Sequence, residues 1–117
     1  MKTESVRQQR VGDLIRFQIA SLIVQGDIKD PRVHGLITIT RVTVTADFRL
    51  ARVYVSVMGE DTDHQSVIFG LKHAKGFMKA KIAKNLKLRC TPDLEFKLDD
   101  SLDRGEKLDQ LLKEAKK

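Results

Sequence analysis

Six lysines and one arginine fall between His64 and Pro92 of this 117-residue chain: Lys72, Lys75, Lys79, Lys81, Lys84, Lys87 and Arg89. No aspartate or glutamate lies among them, whereas the remaining residues carry fifteen basic against sixteen acidic side chains. The segment therefore carries +7 and the rest of the chain −1, so the formal charge of +6 comes from this one segment. Solvated helix faces usually mix both signs, because Glu and Lys four apart stabilise each other by about 0.2–0.5 kcal/mol per pair. A run of one sign costs stability until something neutralises it, and a phosphate backbone does so while releasing counterions. The chemistry that suits this spacing is polyanion binding, with nucleic acid ahead of an anionic membrane, a protein partner or a merely solvated face.

Periodicity sorts the segment into core and charge. At about 100° per residue, Met78, Ile82 and Leu86 form one stripe, while Lys81, Lys84 and Lys87 fall roughly opposite. Gly76, within Ala74-Lys75-Gly76, interrupts the pattern, since glycine in a helix costs about 1 kcal/mol relative to alanine. This predicts a first helix over about 62–73, a bend, and a second helix over about 76–88. Such a bend lets a sugar-phosphate strand come close and turns free N–H groups toward phosphate. Equally, Gly76 relieves crowding where two helices cross. Phe77 follows on the lysine side, where it either stacks on an unpaired base or packs against a neighbouring helix.

Other chemistry finds no support in the spacing. His34, His64 and His73 are too scattered for a zinc or di-iron site, and no phosphate-cradling or nucleophile-elbow glycine motif occurs. Cys90, the single cysteine, forms no internal disulfide, fits a reducing cytoplasm and reads as a buried structural thiol. Glu60, Asp61 and Asp63 sit where a helix must start, with Thr62 and Gln65 as a capping box. No apolar run is long enough to span a membrane. The expectation is a binding protein with no catalytic residues, metal or cofactor; an RNA-cleaving role for His64 or His73 with Lys79 is the enzymatic rival.

The elements that hold this segment follow from alternation and caps. A long amphipathic helix over about 3–25 opens on Ser5 and Gln8, with Val11, Leu14, Ile15, Ile19, Leu22 and Ile23 as its core face. Its Arg7, Arg10 and Arg16 either extend the basic surface or are solvated. Residues 35–45 and 50–58 alternate as strands, joined by the short turn Ala46-Asp47-Phe48-Arg49 into an antiparallel hairpin. Ile37 and Ile39 share one parity, Val42 and Val44 the other, so a bulge is required near Thr40 and Arg41. Leu94, Phe96 and Leu98 mark a third inward-facing strand. Leu108, Leu111 and Leu112 offer an apolar edge for a last short helix capped by Asp103 and Glu106, itself an alternative protein-docking edge. The order helix, strand, strand, helix, bend, helix, strand gives an α+β fold, a three-stranded sheet covered by helices on one face.

Laid out in this order, the chain resembles the ribosome-binding factor A family. The resemblance rests on Arg10-Val11, Ile28-Lys29-Asp30-Pro31-Arg32-Val33, Thr38-Ile39-Thr40-Arg41-Val42, Asp47, Ala51-Arg52-Val53-Tyr54-Val55-Ser56-Val57, Ala74-Lys75-Gly76-Phe77, Leu88-Arg89 and Pro92-Asp93-Leu94-Glu95-Phe96. It implies a KH-like domain of type II topology over 1–100 with a short helical tail over 101–117. In that fold an Ala-x-Gly kink, here Ala74 and Gly76, replaces the glycine turn of other KH domains. It implies a cytoplasmic, monomeric factor that binds the free 30S subunit and its 16S rRNA late in maturation. The family supports 16S 5′-end processing and growth in the cold, with an assembly GTPase as a further partner. The RNA-binding residues would be Lys72, Lys75, Gly76, Lys79, Lys81, Lys84, Lys87 and Arg89. Two departures stand out: Lys79 where the family often has arginine, and Asp93 where glutamate is commoner. The alternative is a general single-stranded RNA-binding module with no ribosome specificity.

Overall fold

A computed structural model of the chain describes residues 4–59 and 63–99. Six elements run in the order α1 (Val6–Val24), β1 (Leu36–Val44), β2 (Leu50–Met58), α2 (His64–His73), α3 (Lys75–Leu86) and β3 (Asp93–Leu98). The strands form one sheet in the order β1-β2-β3, antiparallel between β1 and β2 and parallel between β2 and β3. A parallel neighbour requires a long crossover, and the α2–α3 pair is that crossover. With α1 and β1 placed before it, the arrangement is α+β and KH-like.

The hairpin follows its alternation closely. Ile39 pairs with Val55 and Arg41 with Tyr54, so Thr40 is the extra residue of the bulge. That insertion returns Val42 and Val44 to the buried face, where Ala51, Val53, Val55 and Val57 also lie. Tyr54 and Arg52 occupy the other face, the Arg41 guanidinium 4.4 Å from the Tyr54 ring centroid and Arg52 3.8 Å from Glu95. The turn closes with Phe48 in the left-handed region at φ 59°, its neighbours held by Asp47 Oδ1, which accepts from Thr45 Oγ1 and the Arg49 N–H.

The helices cover the apolar face. Ile15, Ile19 and Leu22 of α1, Val67 and Leu71 of α2, and Met78 and Ile82 of α3 meet Leu94 and Phe96 of β3 in one core. Ser5 and Gln8 form the capping box at the start of α1, and Gln8 Nε2 also donates to the Val44 carbonyl at 2.8 Å, fastening the helix to the end of β1. Leu14, expected in the core, is exposed. The reason is Gly12: a Cβ there would lie 2.6 Å from the Val42 carbonyl oxygen, so α1 sinks onto β1 along Gly12, Ile15 and Ile19. Leu14 is carried round to the helix flank.

Two further expectations are corrected. The cap of α2 is Asp63, whose Oδ1 accepts from the Gln65 and Ser66 N–H groups; Glu60, Asp61 and Thr62 lie outside the described residues. Cys90 is exposed, because α3 ends at Leu86 and, past Leu88 packed against the core, Arg89 and Cys90 lie on the surface before Pro92 turns inward. The expected tail helix over 101–117, with Leu108, Leu111, Leu112, Asp103 and Glu106, also lies outside the described residues. No helix among the described residues is long and apolar enough to cross a membrane.

Candidate nucleic-acid interface

The bend lies earlier than glycine alone suggests. Ala74 is at once the C-cap of α2 and the residue before α3, its N–H donating to the Gly70 and Leu71 carbonyls while its own carbonyl accepts from Met78. α3 therefore starts at Lys75 rather than Gly76, and no side chain caps it. Gly76 sits inside the first turn with no atom within 4 Å of a would-be Cβ. Relief of internal crowding is thus not what a glycine does here. Gly70 is the crowded one: its Cβ position lies 2.7 Å from Val33 Cγ2 and 3.1 Å from Arg32 Cβ, which lets the α1–β1 connection rest on α2.

The seven cations form an elongated band rather than one cluster. Lys72 lies in the last turn of α2, its ammonium 5.8 Å from the Phe69 ring centroid. Along α3, helical geometry sends Lys75 and Lys79 to one flank and Lys81 and Lys84 toward the other. On the first flank both ammoniums meet Asp93 Oδ1, at 3.4 and 3.5 Å. On the second, Lys81 lies 5.6 Å from the centroid of the Phe77 ring, which is 42 % exposed. Lys87 terminates the helix in the left-handed region at φ 50°. Arg89 follows beside Arg7, Val11 and Phe48 around a cavity of about 240 Å³. The twelve residues of α3 separate these two ends by about 18 Å at 1.5 Å per residue, enough to track several phosphates.

Asp93 is the residue that charge counting along the sequence passed over, because it lies beyond the acid-free run. Its carboxylate is held below the usual range, first by the Leu94 N–H and then by the two ammoniums. It stays ionised and masks part of the positive flank. Asp93→Asn keeps the backbone hydrogen bond and unmasks both lysines. The expected result is tighter RNA binding at low salt, with the slope of log affinity against log salt steeper by about 0.7–0.9, one added phosphate contact. Filter binding across a salt series checks this; an unchanged slope would mean that Lys75 and Lys79 already face away from the RNA.

Among the described residues no group of three or more His, Cys, Asp or Glu could hold a metal. Asp30 is engaged structurally, its carboxylate accepting from Arg32 Nε and Nη2 at 2.9 and 2.7 Å and lying 3.2 Å from His73 Nδ1. Arg32 pushes it well below the ordinary carboxylate range. This ties the α1–β1 connection to the end of α2, next to the bend.

Comparison with known proteins bears on the family and the fold. Residues 7–112 match the family described as Ribosome-binding factor A. The ribosome-binding factor A of Macrococcus caseolyticus is 43 % identical over 110 residues, covering 94 % of this chain and 95 % of its own. The solution structure of a candidate ribosome binding factor A from Thermotoga maritima superposes with a TM-score of 0.68 at 31 % identity, covering 83 % of this chain and 91 % of its own. A Thermus thermophilus ribosome binding factor A, fitted into a cryo-EM map of a 30S complex, shares the fold with a TM-score of 0.59 at 21 % identity, covering 84 % of this chain and 97 % of its own. With its sequence matched over most of its length by the family and by close relatives, the chain belongs to the ribosome-binding factor A family.

Proposed function

We propose that this protein binds the free 30S subunit and its 16S rRNA late in subunit maturation, using the band from Lys72 to Arg89 as its RNA contact. The observation that carries this is the acid-free cationic run on both sides of an uncapped bend, with Lys72, Lys84, Lys87 and Arg89 exposed and Lys75, Lys79 and Lys81 half-buried on the outside of a KH-like fold. Family membership supports it, as does the Thermus thermophilus relative fitted into a 30S map. On this reading Lys72, Lys75, Lys79, Lys81, Lys84, Lys87 and Arg89 neutralise phosphates, while the bend at Ala74 sets the angle between the two helices that bear them and Gly76 leaves the first turn of α3 bare for a phosphate to approach. Recognition then runs through the shape and charge of folded rRNA rather than through a glycine loop gripping a single strand. The protein acts as a cytoplasmic monomer, without catalysis or cofactor of its own. It favours 16S 5′-end processing and growth in the cold, and an assembly GTPase is its further partner.

Co-sedimentation with free small subunits, free large subunits and assembled ribosomes tests the reading. Selective travel with free small subunits is the expected result. Equal binding to every particle and to bare RNA would overturn it in favour of a general RNA-binding module.

A further inference from the structure

Beside the bend lies a cavity of about 380 Å³, near the small end of the range of about 300–1,000 Å³ typical of ligand pockets. Its apolar surface comes from Ile28 and Pro31 on the α1–β1 connection and from Ala74 and Phe77 at the junction of α2 and α3. Asp27, Lys29, Asp30 and His73 complete the lining, acid and base together. We infer that this cavity seats one unpaired RNA base, stacked on Phe77, while the strand on either side of it runs over the neighbouring lysines; the inference rests on the RNA-binding reading above.

Several observations select a base over other occupants. The Asp30 carboxylate is nearly buried and already engaged by Arg32 and His73, so what the cavity offers a nucleotide is chiefly the apolar wall of Ile28, Pro31 and Phe77, which suits its uncharged ring. The ring of Phe77 is exposed, and Lys81 stands 5.6 Å from its centroid, so stacking platform and phosphate partner are adjacent. Base–aromatic stacking is tolerant of sequence because every base has a π face. His73, anchored through Nδ1 3.2 Å from Asp30 and 77 % exposed, presents in its neutral form Nε2 as an acceptor for a base amino group. Gly76, one residue before Phe77, has open space where a Cβ would stand, so the backbone next to Phe77 carries no side chain and is open to an approaching strand. An apolar peptide side chain would use Ile28, Pro31 and Phe77, but it has no use for the flanking cations or for the bare backbone at Gly76.

The test compares a ten-nucleotide single-stranded RNA with the same strand made abasic at its central positions, using wild type, Phe77→Leu, Phe77→Tyr and Lys84→Ala. Wild type and Phe77→Tyr are expected to bind the intact strand about tenfold more tightly than the abasic one. Phe77→Leu should lose that ratio while keeping the salt slope, and Lys84→Ala should lower the slope while keeping the ratio. Phe77 is exposed, so its replacement by leucine leaves the core intact. Equal affinity of wild type for both strands overturns the pocket and leaves the lysine reading standing. No binding to either strand or to small subunits overturns both. Unchanged RNA binding by Phe77→Leu with weakened attachment to intact subunits would assign the cavity to a protein neighbour and overturn the base.

Discussion

Replacing Lys79, Lys81 and Lys84 together by alanine is expected to weaken binding to small subunits and to RNA by about 100-fold at 0.1 M monovalent salt. The magnitude follows from counterion release: each phosphate deprived of its lysine takes about 0.7–0.9 off the slope of log affinity against log salt, and the same amount off log affinity at 0.1 M. Three full phosphate pairings would give somewhat more than 100-fold, but Lys79 already shares Asp93 with Lys75 and contributes less than a free cation. The fold should survive. Lys84 is exposed and Lys79 and Lys81 are half-buried beside, not within, the apolar core of Met78 and Ile82, and alanine is the better helix former. Salt-dependent titration alongside thermal unfolding separates the two effects. A triple variant that is stable and keeps the wild-type salt slope would move the RNA interface to other cations, Arg7 and Arg10 on α1 being the next candidates.

Gly12→Val is expected to cost the domain a large part of its stability. The first added carbon would stand 2.6 Å from the carbonyl oxygen of Val42, a backbone atom of the central hairpin that cannot swing aside. Overpacking of this kind costs about 1–3 kcal/mol, occasionally more, and valine adds the loss of χ1 freedom in a helix. At about 3 kcal/mol, the transition would fall by roughly 10 °C for a domain of this size. Gly76→Ala is the internal contrast. Nothing among the described residues approaches that position, and exchanging helical glycine for alanine should raise stability by up to about 1 kcal/mol. Denaturation of the two variants side by side decides the matter; a Gly12 variant as stable as wild type would mean that α1 can lift from the sheet at little cost.

Most of the element order is legible along the chain because it rests on local signals. Ser5 and Gln8 cap α1 as their spacing requires, β2 runs over Leu50–Met58, and the parity slip between Ile39 and Val42 appears as the bulge at Thr40. The segregation of charge into one segment is likewise a property of composition, visible before any fold is known. The bend at Ala74 is legible only in part. Gly76 signals a break, yet the break lies two residues earlier, since the hydrogen bonds from the Ala74 N–H to Gly70 and Leu71 close α2 there and α3 resumes at once.

The α+β class, the inward parity of each strand and the location of the cationic band can all be read from the chain alone, since each depends on residues only a few positions apart. Four features emerge only when distant segments meet in three dimensions. β3 lies parallel to β2, which the alternation of Leu94 and Phe96 leaves open because parity says nothing of strand direction. Asp93 reaches back to Lys75 and Lys79, lowering the free charge of one flank. Cys90 faces solvent, because no periodicity governs the connection between α3 and β3. The cavity at Phe77 exists because Gly70 lets the α1–β1 connection settle onto α2, bringing Ile28 and Pro31 to the bend from more than forty residues away. Local periodicity specifies elements; the meeting of distant segments is set by how closely their backbones can approach, and here two crowded glycines, Gly12 beneath α1 and Gly70 within α2, set it.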